Sequence, residues 1–317
     1  MKTPAPPEDR LDAGPHPIFA QFEYPTRTAE AGWYVDFLGV RTRVALFSPH
    51  EQPVESRTTR RVTTGPPDMN EEYFEWIAVL EAAAEASEHF TMIELGAGWG
   101  RWLAIGALAV RQVSGIPIML VGVESEPQHF KWMKQHLADN GIKPEEQNLI
   151  QAAVAAADGH VWFRVGAAAD WYGQSIAEGR LPSFGLRQLA RLRQSVRRRL
   201  ARDATPAVQL VPAVSLTTVL RPHERVDFID VDIQGAEADV IEPAAESLDS
   251  KVRRIHIGTH TAEAESRLRA LFGRLGWQCI YDFPAGGASE TLWGRILFED
   301  GAQTWLNPRL RPEGKSA

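Results

Sequence analysis

The chain has 317 residues, 44% hydrophobic and 24% charged, which is enough for one large globular domain with additions. A net charge of −7 argues against a protein built chiefly to hold nucleic acid, and the single Cys279 excludes an internal disulfide framework or a multi-cysteine zinc site. No apolar run approaches a membrane span and the start, Met1-Lys-Thr-Pro-Ala-Pro-Pro, lacks a signal-peptide core, so a reducing cytoplasm is the expected location.

Residues 1–17, rich in proline and charge, read as a mobile arm. The segment 32–47 reads as two short strands joined near Gly39, and 48–67, with Ser48-Pro49, Pro53 and Gly65-Pro-Pro67, as a loop. This gives an N-terminal arm and small strand pair over 1–67, ahead of a main domain over 68–317. Asp68 is expected to cap a helix with apolar residues at 73, 76, 77 and 80. Strands are then predicted at 90–95, 118–123, 148–154, 226–232 and 252–258, with helices near 99–113, 127–140 and 235–247. Alternation of this kind implies an α/β fold, a mostly parallel Rossmann-like sheet with helices on both faces. A helix at 262–275 follows, then Trp277–Tyr281 and Gly294–Phe298, expected as an antiparallel pair completing seven strands. Most of the ten tryptophans are expected in cores and seams.

The interval 180–206 interrupts the pattern as an arginine-rich helical insert. It carries eight arginines from Arg180 to Arg202 and no acid between Glu178 and Asp203, with Leu189, Leu192, Val196 and Leu200 at helical spacing. Over 180–203 it reads either as a solvated helix packing its leucines on the domain, or as a contact for an anionic substrate or anionic lipid headgroups. Nucleic acid is disfavoured because no aromatic residues interleave with the arginines.

Two stretches carry the chemistry. In Thr91-Met-Ile-Glu-Leu-Gly-Ala-Gly-Trp-Gly100 an apolar strand ends near an acid and turns through glycines into a helix, and Val121-Gly-Val-Glu124 ends a second strand in an acid. A dinucleotide fingerprint would place its third glycine at 101, which is Arg101. The pattern fits S-adenosylmethionine better than NAD. Glu94 would accept from the methionine ammonium, Gly96 and Gly98 would let the backbone approach the ligand, and Glu124 would take the ribose hydroxyls, with Ala97, Ser125 and Ala153 completing the pocket.

The second stretch is Val226-Asp-Phe-Ile-Asp-Val-Asp-Ile-Gln-Gly-Ala-Glu237. Asp230 and Asp232 lie on one face, with Asp232 at the strand tip, where open α/β sheets bind ligands. Glu237 lies in the first turn of the next helix, as a cap. His260 ends Val252-Arg-Arg-Ile-His-Ile-Gly-Thr-His260 on the same edge, while His256 reads as a satisfied core histidine. Asp232 and His260 can serve as a base with its orienting carboxylate, or, with Asp230, as ligands of one divalent cation, Mg²⁺ or Mn²⁺; sequence leaves both open. The helix at 69–80 and Trp171-Tyr-Gly-Gln174 are expected to cover the site, with Tyr73 and Trp76 over the cofactor.

Ile93-Glu-Leu-Gly-Ala-Gly98, Ala157-Asp-Gly159, Asp227-Phe-Ile-Asp-Val-Asp-Ile-Gln-Gly-Ala-Glu237, Ile257-Gly-Thr-His260 and the ending Phe298–Pro308 together resemble the FkbM-type family of S-adenosylmethionine-dependent methyltransferases, over roughly 68–305. The resemblance implies a class I methyltransferase sheet and methyl transfer to a hydroxyl, commonly on a sugar or polyketide. At the fourth strand the family text is closer to Ile-Lys-Ile-Asp-Val-Glu-Gly-Ala-Glu, so Asp230 stands where a lysine is usual and Gln234 where a glutamate is usual. The expected activity is O-methylation of a sugar hydroxyl in a nucleotide sugar, glycolipid precursor or surface glycan, by in-line displacement in which orientation does most of the work. The rivals are transfer to nitrogen or carboxylate, which needs no base, and a silent cofactor-binding module.

Overall fold

The computed structural model describes residues 14–47, 58–165, 175–176 and 207–310. The arginine-rich 180–203 stretch, Trp171–Gln174 and residues 1–13 lie outside the described residues.

The N-terminal region is more structured than its composition suggests. Residues 14–17 are not a free arm: the backbone N–H of His16 donates to the Tyr73 hydroxyl at 2.8 Å, and a 3₁₀ turn over Pro17–Gln21 buries Ile18 and Phe19. Strands β1 (Arg27–Ala29), β2 (Trp33–Val35) and β3 (Arg41–Arg43) follow, with β2 and β3 forming the expected hairpin. At its turn the Asp36 carboxylate accepts from the N–H groups of Gly39 and Val40 at 3.0 and 2.9 Å. The predicted loop 48–67 contains a strand, β4 (Arg60–Val62), antiparallel to β1.

Helix α1 (Tyr73–Glu85) begins five residues after Asp68, so Asp68 is not its cap; Glu72 holds that position without a capping side chain. The core alternates as expected through β5 (Phe90–Leu95), α2 (Arg101–Val113), β6 (Ile118–Glu124), α3 (Pro127–Asp139) and β7 (Gln147–Gln151). The strand predicted over 148–154 is two strands. At Ala152 the N–H turns to the Glu124 carbonyl, and β8 (Ala153–Ala155) joins a second sheet with β9 (Gly159–Val165), β10 (Ser175–Ile176) and β11 (Ala207–Ser215). Asp158, of the Asp-Gly pair before β9, ties that sheet to α4 (Leu216–Leu220) by accepting from the Ser215 N–H and the Thr218 hydroxyl.

After β12 (Val226–Val231) the predicted helix at 235–247 is also broken. Pro243 lacks an N–H and falls in a 3₁₀ turn between α5 (Glu237–Ile241) and α6 (Ala245–Lys251). The chain continues through β13 (Val252–Thr259), α7 (Ala262–Leu275), β14 (Gln278–Phe283), β15 (Gly287–Thr291), β16 (Gly294–Phe298) and β17 (Gly301–Leu306).

The central sheet has seven strands in the order β14-β17-β13-β12-β5-β6-β7, with β17 antiparallel to both its neighbours. The expected closing strand 294–298 is therefore corrected: β16 forms a separate hairpin with β15, and β17 completes the sheet. The reason lies in the side chains. Every residue of Gly301–Leu306 is buried, as a strand covered on both faces requires, whereas Gly294–Phe298 alternates between buried and accessible positions.

One face of the sheet packs on α1, α2 and α3 through Ile77, Leu80, Leu103 and Met133, and the other on α4 to α7 through Val219, Ile241, Leu248 and Leu268. On the first face, Arg254 of β13 pairs with Glu81 and Glu85 of α1, and Arg253 also reaches Glu85. Both guanidinium groups are buried. Such pairs contribute little net stability but penalise any other seat for α1, so they fix where this helix delivers its remaining carboxylate, Glu75, to the sheet edge.

Candidate active site

A cavity of about 700 Å³ opens at the carboxyl ends of β5, β6, β12 and β13. Its lining includes Glu94, Gly96, Ala97, Gly98, Glu124, Ser125 and Ala153 from the predicted cofactor set, and Asp230, Asp232 and His260 from the predicted acceptor set. Residues far apart in sequence thus meet at one sheet edge.

The glycine turn runs through left-handed backbone at Gly96, Gly98 and Gly100, with φ of +81°, +53° and +72°. Glu124 braces it: one carboxylate oxygen accepts from the Gly98 N–H at 2.8 Å and the other from Glu126 at 2.6 Å. Burial pushes the Glu124 carboxyl up to about 7, against these hydrogen bonds. Each oxygen keeps a second lone pair, so bracing the loop and receiving ribose hydroxyls are compatible.

Gly96 meets a packing demand that its motif alone does not show. A Cβ there would lie 1.9 Å from the carbonyl oxygen of Asp232, so this glycine lets the ends of β5 and β12 approach as well as lining the cavity. The two halves of the site touch at this point, where the Asp232 N–H also donates to the Leu95 carbonyl at 3.0 Å.

Across the cavity, His260 sits between carboxylates. Its Nδ1 lies 2.9 Å from Glu237 Oε1, and its Nε2 lies 3.4 Å from Asp232 and 3.7 Å from Asp300. Glu237 is wholly buried and is more than a helix cap: its Oε1 accepts from both the Gly235 N–H and the imidazole. Burial alone would depress His260, but the Glu237 hydrogen bond and the charges of Asp232, Glu237 and Asp300 outweigh it and push the imidazole up to about 9. His260 is therefore an imidazolium at neutral pH, held from behind by Glu237.

Asp232 is the member that faces the cavity, with 57% of its side chain accessible. The surrounding protein raises its carboxyl, Glu237 and Asp300 add to the rise, and His260 opposes it. The Gln234 side-chain amide donates to Asp232 at 3.0 Å, and Gln234 is the one non-glycine residue with positive φ (+53°) among the described residues. A glutamate at 234 could not donate that bond.

Asp230 lies deeper, only 2% exposed, and is hydrogen-bonded to Glu75 of α1 rather than directed at His260. The predicted cation ligands Asp230, Asp232 and His260 are thus divided between two groups. Among the described residues no three His, Cys, Asp or Glu side chains are arranged to hold a metal ion. Of the expected cover, Asn70, Glu71, Glu72 and Glu75 line the cavity, but Tyr73 and Trp76 do not. Tyr73 is buried against Phe19 and Phe74, and Trp76 against Phe37 and Trp102; Phe47 and Trp99 line the cavity instead. His256 is the satisfied core histidine expected, with Nδ1 2.8 Å from the Thr304 hydroxyl and burial lowering it to about 3.

Sequence reasoning did not single out Glu75, Arg101 and Asp300, which also line the cavity. A charge at 75 inside the otherwise apolar run Tyr73–Leu80 was a usable signal, as was the acid of the turn Glu299-Asp-Gly301 next to a buried strand.

A seven-stranded sheet with one antiparallel strand wedged beside its last member, over a glycine turn flanked by acids, is the architecture of an S-adenosylmethionine-dependent methyltransferase. The family model for the FkbM methyltransferase domain matches residues 100–278, and the chain belongs to that family. It is 27% identical over 267 residues to a protein of Jannaschia sp. (strain CCS1) that carries a provisional methyltransferase name, covering 84% of this chain and 89% of that protein. Among solved structures, it is similar to the METTL16 methyltransferase domain lacking its N-terminus (11% identity, TM-score 0.40, 76% of this chain and 84% of that one). It is also similar to the methyltransferase FkbM of Methylobacillus flagellatus KT (12% identity, TM-score 0.40, 69% of this chain and 44% of that one).

Proposed function

We propose that the protein is an O-methyltransferase acting in the cytoplasm on a hydroxyl of a sugar, in a nucleotide sugar, a glycolipid precursor or a surface glycan, as a step in polysaccharide biosynthesis. S-adenosylmethionine supplies the electrophilic methyl group when bound. The residues fit that cofactor: a glycine turn braced by Glu124 and the buried, unpartnered Oδ1 of Asp230 provide acceptors and close backbone approach at the cavity wall.

The observation that carries the hydroxyl acceptor is the line Asp232–His260–Glu237. A hydroxyl must lose its proton as it attacks, whereas an amine attacks through a free lone pair, so a prepared base is superfluous for nitrogen. Asp232 presents a carboxylate to the cavity, and the imidazolium behind it fixes its orientation and balances its charge. Asp232 takes the proton, while His260 positions it; an imidazole already protonated at neutral pH has no capacity to accept another.

Assaying methyl transfer over a panel of sugars, nucleotide sugars, amines and carboxylates tests this reading. Asp232→Asn should lower turnover on the sugar by about a hundredfold or more, with S-adenosylhomocysteine affinity unchanged. Full turnover in that variant, or methylation confined to amines and carboxylates, refutes it.

A further inference from the structure

The cavity wall formed by α1, the start of α2 and the tips of β5 and β12 carries groups that proton removal from an acceptor does not use. Arg101 is the only arginine or lysine among the described residues lining the cavity. Its guanidinium is gripped at both ends by the Glu72 carboxylate, Nη1 to Oε1 at 2.6 Å and Nη2 to Oε2 at 2.9 Å, and lies 4.9 Å over the Trp102 ring. This fork-to-fork contact is the geometry with which arginine grips any carboxylate. The pair remains partly accessible, with 29% of Arg101 and 38% of Glu72 exposed, so another carboxylate can replace Glu72.

Beside this cation stand acids of the same wall. Asp230 is hydrogen-bonded to Glu75, and its Oδ1 is buried without a partner. Glu94 pairs across the strands with Asp230 and accepts from the Leu103 N–H through one oxygen. A hydrogen bond between two carboxyls requires a proton between them, which does there what a cation would do. Burial and mutual repulsion push the carboxyls of Glu75, Glu94 and Asp230 up.

A cation adjoining a pocket for a cation is a site for a zwitterion. We propose that this wall is a clamp for an α-amino acid head group, in which Arg101 takes the α-carboxylate, displacing Glu72, and Asp230 takes the α-ammonium with Glu75 and Glu94. The proposal rests on the S-adenosylmethionine reading, whose methionine end is such a head group, and extends it to three residues outside the glycine motif. Glu72 then acts as an internal competitor that fills the arginine fork until the cofactor arrives.

The experiment compares calorimetric binding of S-adenosylhomocysteine with that of 5′-methylthioadenosine, which keeps the nucleoside and thioether but lacks the amino acid. The wild-type protein should prefer S-adenosylhomocysteine by about a hundredfold, the scale expected for two charge-assisted contacts. Arg101→Gln and Asp230→Asn should each cut that preference by about tenfold while leaving 5′-methylthioadenosine affinity unchanged, which also reports that the variants are folded. Glu72→Gln should tighten S-adenosylhomocysteine binding by about threefold, because an exposed ion pair no longer competes. Equal affinities for the two ligands, or variants that weaken both alike, overturn the clamp and leave the cofactor reading standing. Binding of neither ligand to the wild-type protein overturns both.

Discussion

Replacing Glu237 by glutamine would remove a buried charge and keep its shape. The amide oxygen can still accept from Gly235 and from His260, so the geometry at 2.7 and 2.9 Å is retained. What is lost is the difference between a charge-assisted and a neutral hydrogen bond, about 1–2 kcal/mol, which is roughly one unit of pKa. His260, now at about 9, should fall to nearly 8. The imidazole can be followed by NMR through its ring protons, and methyl transfer through its pH profile. At pH 7 the variant keeps its imidazolium and should turn over nearly as fast as wild type, while the alkaline limit of activity moves down with the histidine. Stability carries the same signature. Because His260 is raised on folding, its contribution is fully present below pH 6.5 and is lost as pH rises through about 9. That contribution is roughly 3 kcal/mol in wild type and smaller in the variant. A wild-type histidine titrating near 6.5, or one indifferent to Glu237→Gln, would refute the reasoning.

Gly96→Ala should destabilise the fold strongly, because its Cβ would meet the Asp232 carbonyl oxygen at 1.9 Å from a backbone held at φ +81°. Thermal denaturation should show a loss of several °C or more, consistent with overpacking costs of about 1–3 kcal/mol plus left-handed strain, and an unchanged midpoint would contradict it. Exhaustive chelation should leave methyl transfer unchanged, since Asp230 is bonded to Glu75 and not to the His260 group. Activity lost to a chelator and restored by Mg²⁺ or Mn²⁺ would reinstate a cation at Asp232 and His260.

Long apolar segments with clear punctuation were legible in the sequence. Phe90–Leu95, Val226–Val231 and Ala262–Leu275 fall within a residue of expectation, because a buried strand or an amphipathic helix is written in local periodicity. Elements whose partners are distant were less legible. Residues 148–154, with Leu149, Ile150 and Ala152–Val154, read locally as one strand, and only the presence of β11, more than fifty residues later, shows that Ala153–Ala155 belongs elsewhere. Among the residues that line the cavity, Glu94, Glu124, Asp232 and His260 could be placed there from sequence because each lies at or next to the carboxyl end of a strand. Glu75 and Asp300 arrive from a helix and a turn whose placement depends on packing. Gly96 was legible as a cavity-wall glycine, but its second constraint was not, since the carbonyl it makes room for lies 136 residues away.

The wedge strand has a consequence for assembly. Among the described residues, strand β14 is hydrogen-bonded within the central sheet only to β17, and β17 follows it by nearly twenty residues, after an independent hairpin. Until Gly301–Leu306 slides in, β13 presents a long open edge, and Gln278–Phe283 has nothing in that sheet to pair with. Closure of the sheet therefore waits on a contact made late in chain order, the kind of non-local pairing that slows folding and leaves a strand edge open to other chains. The same event carries Asp300 to His260, so the cluster around that imidazole acquires its full complement of charge only when the last strand has docked.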